Sequence, residues 1–172
     1  MGCRRNVVEC FHGLPARNHE RTMFGDLTPD AIESLLHSQT VARVAYVDLR
    51  GLPCIVPITY AYDGKAFYGY SVLGSKVENM SANPRVCVEV DRISGAADWS
   101  SVVAQGLFQT IEGEAAVGAV ERISDRLRTV AAAAGGAPKD AWRTFVARRG
   151  GAGIAFRIDV TEKHGRYSTS GG

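Results

Sequence analysis

Gly74-Ser75-Lys76 places three groups together that could hold a phosphate: a small residue, a hydroxyl and an ammonium. They open a segment that reads as a helix and closes at Asn83-Pro84. Ser75 and Glu78 stand in the S-x-x-E relation of a capping box, which predicts Ser75 as the N-cap with Glu78 reaching back to it. A helix N-terminus presents unpaired backbone N–H groups and a partial positive charge, so Lys76 beside it would complete an anion cradle. In isolation such a tripeptide is more often a capped surface helix with a solvated lysine, since the longer Walker pattern is absent. The neighbouring elements have to decide.

Thr28-Pro29 starts a first helix, with a hydroxyl N-cap and proline at the first helical position, and Ile32, Leu35 and Leu36 form its buried side. From Thr40 the period changes. Val41 to Val47 reads as a strand, Asp48 to Gly51 as a turn and Leu52 to Tyr62 as a second strand. Pro53 and Pro57 would be awkward in a central ladder, because proline donates no hydrogen bond, and they predict a strand partly at an edge or bulged. Asp63-Gly64 is a hairpin turn that pairs this run with Lys65 to Ser71. Arg85 to Asp91 alternates as a fourth strand, Trp99 to about Glu112 makes a fifth, and Ile154 to Val160 a sixth. Ala115 to Ala134 is the longest helical stretch, with Val117, Val120, Ile123, Leu127 and Val130 as its core stripe, and Pro138 begins a shorter helix. Strands outnumber helices without a β-α-β alternation. The expectation is a mainly β chain with some α structure (α+β), built as a six-stranded antiparallel split β-barrel with outer helices.

The 172 residues suit one domain, and 45% of them are hydrophobic, an ordinary share for a globular chain. The expected organisation is an irregular leader over 1–22, a domain over 23–166 and a short tail over 167–172. Net charge is only +2 and no basic block alternates with aromatics, so nucleic acid is not indicated. No apolar run approaches the roughly 20 residues that cross a membrane, and Met1 to Asn6 lacks an apolar signal core. A cytoplasmic protein is expected. Cys3, Cys10, Cys54 and Cys87 form no C-x-x-C pair and read as reduced thiols. The spacing of Cys3, Cys10, His12 and His19 matches no zinc pattern, so no metal is expected.

Two runs carry a family resemblance. Tyr70-Ser71-Val72-Leu73-Gly74-Ser75-Lys76, with Met80, Asn83 and Pro84 at K-x-x-x-L-x-x-N-P spacing, is similar to the phosphate-binding element of the pyridoxamine 5′-phosphate oxidase-like split barrels, and within them of the nitroimidazole-resistance-type flavoproteins. Trp99, Ser101, Val102, Gly106 and Phe108 resemble that family's W-x-S-V-x-x-x-G-x-F run. Thr161 to Arg166 resembles its short C-terminal run, with His164 in place of a threonine. The resemblance spans about Met23 to Arg166. It implies a homodimer with flavin mononucleotide (FMN) at the subunit interface: phosphate on Gly74, Ser75 and Lys76, with Tyr70 and Ser71 beside it. Main-chain contacts to the ring would come from the strand around Pro57, Ile58 and Thr59. Trp99 and Ser101 would reach a flavin held mainly by the other subunit, although a core or interface role suits Trp99 equally.

On this resemblance the chain is an FMN-dependent oxidoreductase that passes electrons from a reduced pyridine nucleotide, NAD(P)H, or another donor to a small acceptor. No catalytic side chain is assigned, because hydride transfer needs none. The alternatives are a flavin- or haem-binding module without turnover, for storage or sensing, and a cofactor-free dimer that keeps only the fold. Many nitroimidazole-resistance relatives carry a histidine where this chain has Tyr70. Tyrosine keeps a ring and a hydroxyl but cannot act as an imidazole ligand or acid at neutral pH. The R-x-x-L-L-K run of the true vitamin B6 oxidases is not recognisable, which argues against pyridoxamine phosphate as substrate.

Overall fold

The computed structural model describes residues 22–133 and 153–170. In chain order the elements are β1 (Thr22–Asp26), α1 (Pro29–Ser38), β2 (Val41–Val47), β3 (Pro53–Tyr62), β4 (Ala66–Val72), α2 (Ser75–Ala82), β5 (Arg85–Ile93), β6 (Trp99–Ile111), α3 (Gly113–Ala133) and β7 (Gly153–Ser170). Six antiparallel strands close into a ring, β7-β4-β3-β2-β5-β6 and back to β7. β1 lies outside the ring on the far half of β7, from Thr22 opposite Ser170 to Asp26 opposite Arg166.

The turns follow their sequence signals. In the β3–β4 hairpin Gly64 takes φ +92°, and the Asp63 carboxylate accepts from the Lys65 and Ala66 amides at 3.0 and 2.9 Å. At the β2–β3 turn Asp48 accepts from the Arg50 and Leu52 amides, both at 2.9 Å, which holds its carboxyl below the usual range. Thr28 caps α1 by accepting from the Ala31 amide.

Inside the ring the core is Val44, Tyr60, Phe67, Val88, Val90, Val102, Phe156 and Ile158. Helix α1 adds Ile32, Leu35 and Leu36 to it, and α2 adds Val77 and Met80. The buried Tyr60 hydroxyl is satisfied by the Leu36 carbonyl at 2.7 Å, which ties α1 to β3. Helix α3 packs outside, against β3, β4 and β7.

Three expectations are corrected. β1 (Thr22–Asp26) is a strand where no element was expected, and the last strand runs on to Ser170 through the expected tail, where Asp98 accepts from the Ser170 amide and hydroxyl at 2.9 and 2.6 Å. On α3 the buried residues are Ala119, Ile123 and Ser124, while Val117 is 59% exposed. That helix needs only a narrow stripe, because it covers the outside of a ring whose core is already filled. The leader before Thr22 and the short helix from Pro138 lie outside the described residues.

Two glycines give opposite expectations. A Cβ on Gly106, at the β6 bulge, would stand 2.7 Å from the Asp159 carbonyl oxygen, so Gly106→Ala should destabilise by about 1–3 kcal/mol. A Cβ on Gly118 in α3 meets nothing within 4 Å, so Gly118→Ala should stabilise by about 0.5–1 kcal/mol. Thermal unfolding of the two variants reads both signs.

Candidate functional site

β3 and β4 pair only over Tyr60↔Gly69, Ala61↔Tyr68 and Tyr62↔Phe67. Beyond Gly69, β4 stays with β7 to the pair Val72↔Gly153, while β3 stays with β2 to the pair Pro53↔Val47. The two strands therefore part, and the sheet is split between them. Tyr60 donates its amide toward β2, to the Thr40 carbonyl at 3.1 Å. Alternation then turns the backbone of Pro53, Ile55, Pro57 and Thr59 toward the open edge. Both prolines sit where their missing N–H leaves no ladder bond unmade, as their sequence positions imply.

A cavity of about 500 Å³ occupies this split. It is lined by Tyr46 from β2, Val56 from β3, Tyr70, Ser71 and Val72 from β4, and Gly74, Ser75 and Lys76 at the start of α2. Helix α2 is seated by Val77 and Met80 in the core and by Asn79, whose side-chain carbonyl accepts from the Leu49 amide at 3.3 Å. Asn79 also hydrogen-bonds the buried Tyr46 hydroxyl, whose pKa is raised mainly by burial.

The expected capping box does not form. Gly74 is the N-cap and Ser75 the first helical residue, so the frame is shifted by one. The Val77 and Glu78 amides close back on the Gly74 carbonyl at 2.9 and 3.2 Å. The shift leaves the Ser75 hydroxyl and the Ser75 and Lys76 amides without a hydrogen-bond partner among the described residues. A Cβ at Gly74 would meet only open space. Lys76 is half-buried, has no ion-pair partner among the described residues, and its pKa is lowered by burial. An unpaired ammonium, a free hydroxyl and two free amides beside a cavity form an anion cradle.

Of the residues named from sequence, Tyr70, Ser71, Gly74, Ser75 and Lys76 are brought together. Ser71 is buried and donates its hydroxyl to the Val72 carbonyl at 2.9 Å, so it shapes the wall and does not offer a free hydroxyl. Pro57 and Thr59 lie on the open edge of β3, whereas the Ile58 side chain is in the core and its backbone groups face β2. Trp99 and Ser101 are elsewhere, on the outer face of β6. Trp99 packs on Phe24 with ring centroids 6.4 Å apart, and Ser101 donates to Glu89 at 2.9 Å. Tyr46 and Val72 were not anticipated. The signal for Tyr46 was its inward place in the alternation of β2, opposite Cys54 in the hairpin register. No histidine, cysteine, aspartate and glutamate group that could hold a metal occurs among the described residues, and no helix among them is long and apolar enough to cross a membrane.

The sequence model described as pyridoxamine 5′-phosphate oxidase matches residues 28–146. The chain belongs to the pyridoxamine 5′-phosphate oxidase family. Among solved structures it is similar to an FAD-binding protein from Mesorhizobium loti, with a TM-score of 0.64 and 26% identity over 86% of this chain and 99% of that one. A candidate 5-nitroimidazole antibiotic resistance protein from Bacteroides thetaiotaomicron shares the fold, with a TM-score of 0.64 and 20% identity over 86% and 89% of the two chains. So does an FAD and haem binding protein from Mycobacterium smegmatis, with a TM-score of 0.62 and 20% identity over 82% and 71%. An uncharacterised protein of Rhizobium meliloti (strain 1021) is 39% identical over 59 residues, which are 34% of this chain and 39% of the relative. The chain thus matches about two fifths of that curated relative's length.

Burial lowers the pKa of Lys76, so its charge is a cost to the folded, ligand-free chain below that pKa, and the cost fades as pH rises through it. Lys76→Met should therefore make the ligand-free protein more stable than the wild type near neutral pH, with the difference shrinking toward about pH 10. Urea unfolding at the two pH values measures this. A less stable variant near neutrality would mean that Lys76 already has a stabilising partner.

Proposed function

We propose that this family member binds FMN in the split between β3 and β4 and serves as a flavin-dependent oxidoreductase. The observation that carries this reading is the cradle at the start of α2, where Lys76, the Ser75 hydroxyl and two backbone amides have no partner among the described residues. The cradle suits a phosphate monoester. From it the wall of Tyr70, Ser71 and Val72 leads along the cavity to the open edge of β3, whose carbonyls and amides are available to a flat polar ring. A bound flavin supplies hydride and one-electron chemistry. The protein's part is to fix the phosphate and to keep water from one wall with Tyr46, Val56 and Tyr70.

The proposed partners are a reduced pyridine nucleotide or another donor, a small acceptor, and a second copy of the chain. Support for the second copy lies on the outer face. Ile93, Trp99, Ser168 and Phe24 stand opposite one another across four strands, with Phe24 and Ile93 each 69% exposed. Apolar side chains grouped in this way mark a contact surface. Trp99 and Ser101 would then meet the partner's cleft and not their own.

A haem-binding role is the second reading, suggested by the Mycobacterium smegmatis relative. Haem asks for an axial ligand, and among the described residues that line the cleft the side chains of that kind are two tyrosines, Tyr46 and Tyr70. Flavin asks for an anion cradle, which is in place.

The test is an absorbance spectrum of the purified protein after addition of excess FMN and removal of what does not bind. Retained flavin bands are expected, and Lys76→Ala should weaken binding by about 1–3 kcal/mol, the scale of a hydrogen bond to a charged group. A protein that retains no flavin ends this reading. If flavin is retained, oxidation of NADH or NADPH with and without an acceptor separates an enzyme from a storage or sensing module.

A further inference from the structure

Tyr70 lines a second cavity as well as the cleft. This one has a volume of about 690 Å³ and lies between α3 and the ring. Its walls are the end of β6 (Thr110 and Ile111) with Glu112 after it, one face of α3 from Gly113 to Ser124, and the start of β7 (Gly153 to Ala155). Its size falls within the range of small-molecule sites. Small residues, among them Ala116, Gly153 and Ala155, leave the space between helix and sheet unfilled there. Gly153 is also what admits the tyrosine, since a Cβ on it would stand 1.9 Å from the Tyr70 hydroxyl.

The apolar surface comes mainly from Ile111, Val117, Val120 and Ile154. Tyr70 and Thr110 add hydroxyls that can donate or accept, whereas the charged groups among the described lining residues have one sign. Glu112 and Glu121 bring carboxylates with no hydrogen-bond or ion-pair partner among the described residues. Ser124, which is buried, donates its hydroxyl to the Val120 carbonyl at 2.9 Å and so faces the cavity as an acceptor. Among the described residues no lysine or arginine lines the cavity. Acceptors and negative charge around an apolar hollow complement a cation or an N–H donor and repel an anion. The cleft on the other side of the shared tyrosine has the opposite preference, since its charge is Lys76.

We infer that the groove between α3 and the ring is a second small-molecule site, for an apolar ligand that carries an amine. Binding there does not depend on the flavin reading.

A charge series on one apolar body tests it: 4-phenylbutylamine, 4-phenylbutanol and 4-phenylbutyrate, titrated calorimetrically into the full-length protein, with FMN titrated separately. The amine should bind tightest and the carboxylate weakest, about tenfold apart, because attraction and repulsion by partly exposed carboxylates are each worth up to about fivefold. The double variant Glu112→Gln with Glu121→Gln should reduce that spread to about twofold or less, and Ala116→Phe, which fills the groove, should abolish binding of all three. Absence of amine binding overturns the inference. So does equal binding of amine and carboxylate, or an amine preference that survives the double variant. Failure of FMN to bind while the amine series behaves as expected removes the flavin reading alone.

Discussion

The parting of β3 from β4 beyond the Tyr60–Gly69 pair is the constraint on which the site depends. A closed antiparallel ring satisfies its backbone groups internally and offers a ligand only side chains. Where two neighbours separate, one edge is released inside an otherwise closed sheet. Prolines at 53 and 57 make that release inexpensive on the β3 side, since neither has a donor to leave unmade. On the β4 side the edge that faces β7 stays paired to the last residue of the strand, and only the edge that faces β3 is released. The split is thus carried by an edge that could not have formed a full ladder in any case.

Helix α2 closes one end of the split, and its attachment explains why the cradle stays open. Val77 and Met80 are anchored in the core, and Asn79 joins the β2–β3 turn to the Tyr46 hydroxyl. These contacts hold the helix from Val77 onward and leave Ser75 and Lys76 to face the cavity. In the ligand-free chain the half-buried Lys76 is a charge without compensation, which is a local violation of the usual pairing of desolvated ions. Residues that oppose folding but suit a ligand are expected where function has been given priority over stability.

Much of this was legible from residue types and spacing. Thr28-Pro29, Asp63-Gly64, the two β3 prolines and the alternation of β5 each act through local backbone chemistry, and each is where the sequence places it. The family relation was also readable from the Tyr70–Pro84 and Trp99–Phe108 runs. The misses have a different origin. β1 exists only through its pairing with the far half of β7, 140 or more residues away in the sequence (Asp26↔Arg166 is the nearest pair), and no local pattern announces such a pairing. The capping frame at Ser75 depends on one ψ rotation at Gly74, whose extended backbone makes it the cap itself. Ile58 was named for the backbone of its strand, yet the period of two sends its side chain into the core.

Trp99 and Ser101 are the instructive case, since motif and single-chain geometry point in different directions. In this chain Ser101 belongs to a network in which Glu89 accepts from Ser101 and Arg43, and Arg43 also donates to Asp91, at 2.9 to 3.0 Å. That network is half-exposed and already satisfied, so Ser101 would have to give up Glu89 to contact anything in the cleft of its own chain, and the intervening strands forbid the reach. A second copy laid against the row of Ile93, Trp99 and Phe24 would remove the conflict, since it would bury the exposed rings and let Trp99 and Ser101 meet the partner's cleft. The dimer proposed above is therefore the arrangement in which both sequence runs, and not only the one around Lys76, belong to the same site.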